Sequence, residues 1–190
     1  LPDAVRINNK DIEDVDEFTY LGAKVSKDGG GSEDIRNRLG KARGAYNNLK
    51  RVWSDGVITI KNKIALFKTL VISVLLYGCE TWKVTKREQQ KLDAFQFKCL
   101  RILKIPWSGL ISNLRITQLT GINPISDEIR RRRWNWIGHT MRKGPTYHAR
   151  IAMEWAPKGR RKVGRPKTTW RRTVTKERNA HGWSSWGEVR

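Results

Sequence analysis

The spacing of apolar positions changes character once along the chain, near residue 30. Before that point, "AVRIN" and "EFTYLGAKV" flank the polar stretch "NKDIEDVD". Val5/Ile7 and Phe18/Tyr20 recur at every second position, the period of a strand, so residues 4–25 read as strands. "KDGGGS" ends that pattern as a loop. Beyond it the period lengthens to that of a helix. Ser32 stands at an N-cap position, Glu33 and Asp34 occupy the first turn, and Ile35, Leu39, Ala42, Tyr46, Leu49 and Trp53 form one stripe. This predicts a helix from Glu33 to about Trp53. A second helix is predicted from about Thr59 to Trp82, with Ile60, Ile64, Phe67, Val71, Val74 and Leu75 inward. Its later part is apolar on nearly every side, as expected of the central helix of a bundle.

Thr85 and Glu88 have the spacing of a capping box and open a third helix that reaches about Lys104. On its wheel Leu92, Phe95, Cys99, Ile102 and Leu103 share one face, and Arg87, Lys91, Lys98 and Arg101 share another. "IPWSGLIS" reads as a connector and Asn113–Thr120 as a short helix closed by Gly121. Ser126 is placed to cap "DEIRRRRWNWIGHTMRK", which Gly144-Pro145 stops. "HARIAMEWAP" fits a strand or a short helix, 158–167 a loop, and "TTWRRTVTKERNAHG" a last helix ending at Gly182. The expected fold is mainly α, a bundle of about six helices preceded by a short N-terminal β-hairpin. Three regions follow: the hairpin (1–31), a helical bundle (32–144) and a basic C-terminal extension (145–190).

Charge narrows the function. The net charge is +21, and it is unevenly placed. Residues 1–34 hold nine acids against four cations, residues 35–128 seventeen cations against six acids, and residues 129–190 eighteen cations against three acids. Self-repulsion on that scale opposes compaction, so a polyanionic partner is expected, nucleic acid ahead of an acidic membrane surface. The longest apolar run, Leu70–Tyr77, is too short to span a bilayer, and no signal peptide is visible. Cys79 and Cys99 lie in apolar surroundings, pointing to a reduced intracellular protein of the nucleus or cytoplasm. Leu1 in place of Met implies further sequence upstream.

Candidate chemistry is sparse. Glu13, Asp14, Asp16 and Glu17 form the densest carboxylate cluster, but alternate side chains of an extended segment diverge, so "EDVDE" reads as a solvated turn. His139, His148, His181, Cys79 and Cys99 lack zinc-ligand spacing. His139, on an arginine-crowded helix, reads as a packing or phosphate-contacting residue. No nucleophile–base set and no phosphate loop is visible. No catalytic residue and no metal ligand is therefore assigned.

Signals for nucleic acid are stronger. Arg130, Arg131, Arg132 and Arg133 adjoin Trp134 and Trp136; guanidinium groups grip phosphates and indoles stack on bases. Both tryptophans also lie at helical spacing compatible with a core, and the two readings stay open. Arg36 and Arg43 on the first helix, with Arg87, Lys91, Lys98 and Arg101 on the third, extend the cationic set. "KGRRKVGRPKTTWRR" (Lys158–Arg172) adds eight cations in fifteen positions, Arg160, Arg161, Arg165 and Lys167 among them. Its Gly164-Arg165-Pro166 partly matches the core of an AT-hook, with Val163 where an arginine normally precedes the glycine. A flexible basic loop is the preferred reading, with Trp170 tying the following helix to the body.

Five blocks in order resemble one family: "EFTYLGAKVSKDG", "ALFKTLVISVLLYGCETW", "KLDAFQFKCLRIL", "RRRWNWIGHTMRK" and "GRPKTTWRRTV". The chain resembles, over nearly its whole length, the C-terminal portion of endonuclease–reverse transcriptase polyproteins of LINE-like (non-LTR) retrotransposons, the group that includes the craniofacial development protein 2-like copies. The resemblance implies that Phe18, Tyr20, Leu21 and Gly22 match the primer-grip region, and that the helices after them match the thumb and its extension. It places endonuclease, fingers and palm upstream, so the paired palm aspartates and the Mg²⁺ they hold have no counterpart here. The implied role is to bind template–primer, an RNA/DNA hybrid or duplex DNA, without catalysis and without a cofactor, alongside the upstream polymerase domain and away from membranes. The alternatives are a stand-alone basic DNA- or RNA-binding module and a non-catalytic assembly element that binds protein through its tryptophans.

Overall fold

In the computed structural model, which describes residues 6–8, 10–20, 22–26, 31–102, 111–155 and 169–189, the chain opens with two small antiparallel ladders. β1 (Arg6–Ile7) pairs with β2 (Lys10–Asp11), Arg6 opposite Asp11. β3 (Glu17–Tyr20) pairs with β4 (Ala23–Ser26), Glu17 opposite Ser26 and Phe18 opposite Val25. The expected hairpin is thus two, because each segment turns on itself. Asn8 (φ 51°) and Gly22 (φ 77°) supply the left-handed residues that tight turns require.

The remainder is mostly helical, as its periodicity predicted. α1 (Ser32–Asn48) buries Ile35, Leu39, Ala42 and Tyr46, and the stripe continues onto Trp53 of α2 (Lys50–Ser54). The predicted single helix breaks at Leu49, where ψ opens to 14°. Ser32 is the first helical residue and not the cap; Gly31 precedes the helix without a side-chain cap. A methyl group at Gly31 would sit 3.5 Å from the Lys83 nitrogen, an ordinary contact, so the start of α1 lies beside the segment after the 3₁₀ turn.

Thr59 caps α3 (Ile60–Leu66), accepting from the Asn62 N–H. The helix then widens into a π-helical stretch (Phe67–Ile72) and returns to α in α4 (Ser73–Leu75). Phe67, Val71, Leu75 and Leu76 are fully buried, whereas Leu70 and Tyr77 are exposed. The central helix therefore keeps a solvent face. It also stops before Trp82: Gly78 takes φ 72°, and a 3₁₀ turn (Cys79–Thr81) delivers Trp82 into the core.

The Thr85–Glu88 box opens α5 (Lys86–Ile102), with the Thr85 N–H donating to Glu88 Oε2 at 2.7 Å and the Glu88 N–H to Thr85 Oγ1 at 3.3 Å. Leu92, Phe95 and Cys99 are buried as predicted; Ile102 is half-exposed, and Leu103 lies outside the described residues. α6 (Asn113–Thr120) ends at Gly121 with φ 61°. α7 (Ile125–Met141) starts one residue before Ser126, which does not cap it. The Ser126 N–H and hydroxyl instead donate to Asp93 at 2.9 and 2.8 Å, fastening α7 to α5. α8 (His148–Glu154) resolves the strand-or-helix ambiguity, and α9 (Trp170–Ala180) begins at the Thr169 cap.

Among the described residues two apolar clusters result. The larger joins α1 through the first half of α7, centred on Phe67, Leu75, Leu92 and Leu100. The second gathers Ile137, Met141, Met153 and Val174 beneath Trp134, Trp136, Trp170, Trp183 and Trp186. Trp170 donates its indole N–H to the Glu80 carbonyl at 2.7 Å, which ties α9 to the main body.

Candidate nucleic-acid interface

The first and fifth helices meet along a fixed seam. At one end the Ser32 hydroxyl and Thr85 hydrogen-bond the Glu88 carboxylate; burial pushes Glu88 up, but those bonds outweigh it and hold the group below its ordinary value. At the other end the Tyr46 hydroxyl donates to the Cys99 carbonyl at 3.2 Å, and the Tyr46 ring stacks on Trp53 with centroids 5.3 Å apart. Between these ties lies an open groove of about 550 Å³. Its floor is apolar, from Ile35, Leu39 and Phe95. Its walls are cationic: Arg36 and Arg43 from α1, Lys91 and Lys98 from α5.

Arg36 is bound to Glu33 at 2.8 Å but stays 76% exposed. Arg43, Lys91 and Lys98 form no ion pair among the described residues and are exposed. Like charges facing one another across a cleft with low-dielectric walls concentrate positive potential in it. The arrangement can hold phosphates. The one carboxylate that lines the groove, Glu88, is committed to capping α5.

The other predicted cations are differently placed. Arg87 is exposed on α5 outside the groove. Arg101 is half-buried and donates to Asn113 Oδ1 at 2.5 Å, linking α5 to α6. In the arginine run, Arg130 lies 3.6 Å from Asp127, while Arg131 and Arg132 share Glu128 at 2.6 and 2.9 Å. Their hydrogen bonds hold Glu128 below its ordinary pKa. Arg133 corrects the expectation that all four face outward. It is 3% exposed, bonded to Glu177 at 2.9 Å and to the Trp82 carbonyl at 3.4 Å. The signal was present in the spacing, since Arg133 stands four residues from Ile129 and from Ile137, both buried.

The tryptophans beside it are partly buried and pack against the second cluster. Trp134 donates to Glu177 Oε2 at 2.9 Å and meets Trp183 at 5.3 Å; Trp136 meets Trp170 edge-on at 6.1 Å. Phe18 and Tyr20 are 51% and 62% exposed on β3, and the Gly22 carbonyl accepts from Arg38 at 3.0 Å, tying the β3–β4 turn to α1. Leu21, Arg160, Arg161, Arg165 and Lys167 lie outside the described residues. The acidic residues from Glu13 to Glu17 are exposed, and no three potential ligands converge on a metal position among the described residues. No helix among them is long and apolar enough to cross a membrane.

Comparison with known proteins adds an origin. A domain of unknown function, DUF6451, matches residues 45–77, from late α1 through the central helix. An uncharacterized transposon-derived protein of Caenorhabditis elegans is 24% identical over 180 residues, covering 87% of this chain. The chain spans 61% of that relative's length. No solved structure matches. The similarity points to a transposon-related origin.

Proposed function

We propose that this chain is the nucleic-acid-gripping, non-catalytic part of a retrotransposon reverse transcriptase, and that the α1–α5 groove engages the phosphates of a template–primer duplex. The supporting observation is that groove, where two helices distant in sequence bring Arg36, Arg43, Lys91 and Lys98 around one cavity with no opposing acid left uncommitted. The transposon-derived relative supports the retrotransposon setting. In this reading the partners are RNA/DNA hybrid or duplex DNA and the upstream polymerase domain, the setting is nuclear or cytoplasmic, and membranes take no part. Nucleotidyl transfer and its Mg²⁺ belong to the parent's palm. The carboxylates described here do not converge on a metal position, so no catalytic step is assigned to them.

The test is fluorescence anisotropy with a labelled RNA/DNA hybrid. Lys91→Glu with Lys98→Glu should weaken binding at least tenfold while leaving the thermal midpoint nearly unchanged. Unaltered affinity in that folded variant would remove the groove from the interface. Primer extension on the same hybrid with Mg²⁺ or Mn²⁺ should give no product. Incorporation that disappears in an Asp14→Asn, Asp16→Asn variant would overturn the non-catalytic reading.

A further inference from the structure

A second groove, of about 500 Å³, opens between α8, α9 and the part of α7 that carries Trp136. Trp136 and Trp170 line it edge-on to each other, with centroids 6.1 Å apart, and the buried Met153 lies below them. Ala149 and Ala152, three residues apart on α8, offer nothing larger than a methyl group, which keeps the groove open. Its volume falls within the range of sites that take small ring systems. Trp155 stands one helical turn beyond Ala152 and is 63% exposed.

Most of the polar groups in this lining already have partners within the chain. The Trp170 indole N–H donates to the Glu80 carbonyl at 2.7 Å, and the Thr81 hydroxyl to the Gly78 carbonyl at 2.9 Å. The Thr169 hydroxyl accepts from the Arg172 N–H at 3.3 Å. Arg171 Nη2 donates to the Ala152 and Trp155 carbonyls, which fixes Trp155 at the end of the groove. A ligand therefore meets aromatic and apolar surface beside a guanidinium charge. Such a surface stacks on a flat ring without reading its hydrogen-bonding edge.

Charge selects the occupant. No acid lines the groove, and the elements that form it carry exposed Arg142, Lys143 and Arg172. Glu177 of α9 is taken up by Arg133 and Trp134, and Glu188 by Ser184. A second copy of the chain would bring the same cations against these, which opposes self-association through this face. An occupant with flat apolar rings on a polyanionic backbone satisfies both the indoles and the cations. In a duplex the ring faces are hidden by stacking, so the strand must be unpaired.

We infer that the α8–α9 groove is a docking surface for a single strand of nucleic acid, with one base against its indoles, a neighbouring base on Trp155 and the cations along the phosphates. The choice of nucleic acid over another polyanion rests on the reading above; the groove, its exposed indole and its cations do not. Because stacking tolerates any base, strands of different sequence should bind alike.

Fluorescence anisotropy of the whole chain tests this with labelled oligo-dT and, separately, a blunt RNA/DNA hybrid. Trp155→Ala should weaken oligo-dT about tenfold and leave the hybrid unchanged, whereas Trp155→Phe, which keeps a ring, should retain most of the affinity. Ala152→Leu fills the groove from an exposed position and should weaken the strand to a similar extent. Lys91→Glu with Lys98→Glu should act mainly on the hybrid, so this inference and the α1–α5 reading can fail separately. Equal oligo-dT affinity in the unaltered chain, Trp155→Ala and Ala152→Leu overturns the docking surface. Polyglutamate that binds as tightly as oligo-dT and is weakened as much by Trp155→Ala overturns it in favour of an acidic protein segment. A dimer in sedimentation that Trp155→Ala dissolves, with strand affinity kept, overturns it in favour of a second copy.

Discussion

The indole N–H of Trp82 donates to Oδ2 of Asp34 at 2.8 Å, joining two buried residues 48 positions apart. Oδ1 of the same carboxylate accepts from the Lys24 N–H at 3.1 Å, and Arg38 Nε lies 3.9 Å away. One acid thus joins the β3–β4 hairpin, the start of α1 and the turn after the central helix. Arg38 completes the joint by reaching the Gly22 carbonyl and lying over the Tyr77 ring at 4.6 Å. Asp34→Ala strands a buried guanidinium and should cost about 3–5 kcal/mol in urea unfolding. Asp34→Asn keeps an acceptor and should cost less. Equal losses would mean that the charge, and not the hydrogen bonds, holds the joint.

Glu177 plays the same part in the second cluster, accepting from Arg133 and Trp134 at 2.9 Å each. Glu177→Leu should destabilise the fold by roughly 3 kcal/mol, because Arg133 remains charged and buried. Adding Arg133→Met should recover most of that loss, since an apolar pair replaces an orphaned ion. A double variant less stable than Glu177→Leu would show that Arg133 stabilises by packing or through the Trp82 carbonyl instead.

Burial pushes the thiols of Cys79 and Cys99 from 9.0 up to about 12, the Glu80 carboxylate adding to the effect at Cys79. Burial raises the Tyr46 hydroxyl as well. The folded state therefore holds protons that the unfolded chain releases from about pH 9 upward. Stability from these groups is complete below that pH and falls as pH climbs toward 12. Urea midpoints between pH 8 and 10.5 should decline, and less steeply in a Cys79→Ala, Cys99→Ala variant. Identical slopes would exclude the thiols as the cause. Both thiols should also resist a disulfide reagent until the protein unfolds.

Helices were legible where one face is unambiguously apolar. Ile35 to Trp53 and Leu92 to Cys99 follow the predicted stripes because burial alone selects those positions. What was hidden depends on partners far away in sequence. Ser126 is a good cap by type, yet Asp93 takes its hydrogen bonds. Arg133 belongs by type with its three neighbours, yet Glu177 and Trp82 draw it inside. The π-helical stretch at Phe67–Ile72 has no counterpart in a 3.6-residue pattern. For the interface, the cations of α1 and α5 were identified separately. Their convergence on one groove required the Ser32–Glu88 and Tyr46–Cys99 ties, which no spacing within either helix encodes.

Helix α5 should separate binding from stability. Lys91 and Lys98 are exposed, so Lys91→Glu with Lys98→Glu should reduce affinity with little change in Tm. Phe95 is 8% exposed on the groove floor, and Phe95→Ala should cost about 3–5 kcal/mol in stability. If the charge reversals unfold the chain as well, the two faces of α5 are not independent.

Salt dependence distinguishes the groove from the basic stretch Lys158–Arg172. Each cation that neutralises a duplex phosphate releases condensed counterions, at about 0.9 in the log–log slope per contact. Arg160→Ala, Arg161→Ala, Arg165→Ala and Lys167→Ala together should flatten the slope by about 2–4 units if those cations lie along the backbone. The loss should be alike on unrelated sequences, because phosphate contacts position a protein without reading bases. An AT-hook behaves otherwise: Arg165→Ala alone would then weaken A·T-rich duplexes far more than G·C-rich ones. Anisotropy on two duplexes at several salt concentrations separates these outcomes. A slope unchanged by the fourfold substitution, but flattened by Lys91→Ala and Lys98→Ala, would assign the phosphate contacts to the α1–α5 groove and leave the basic stretch outside the interface.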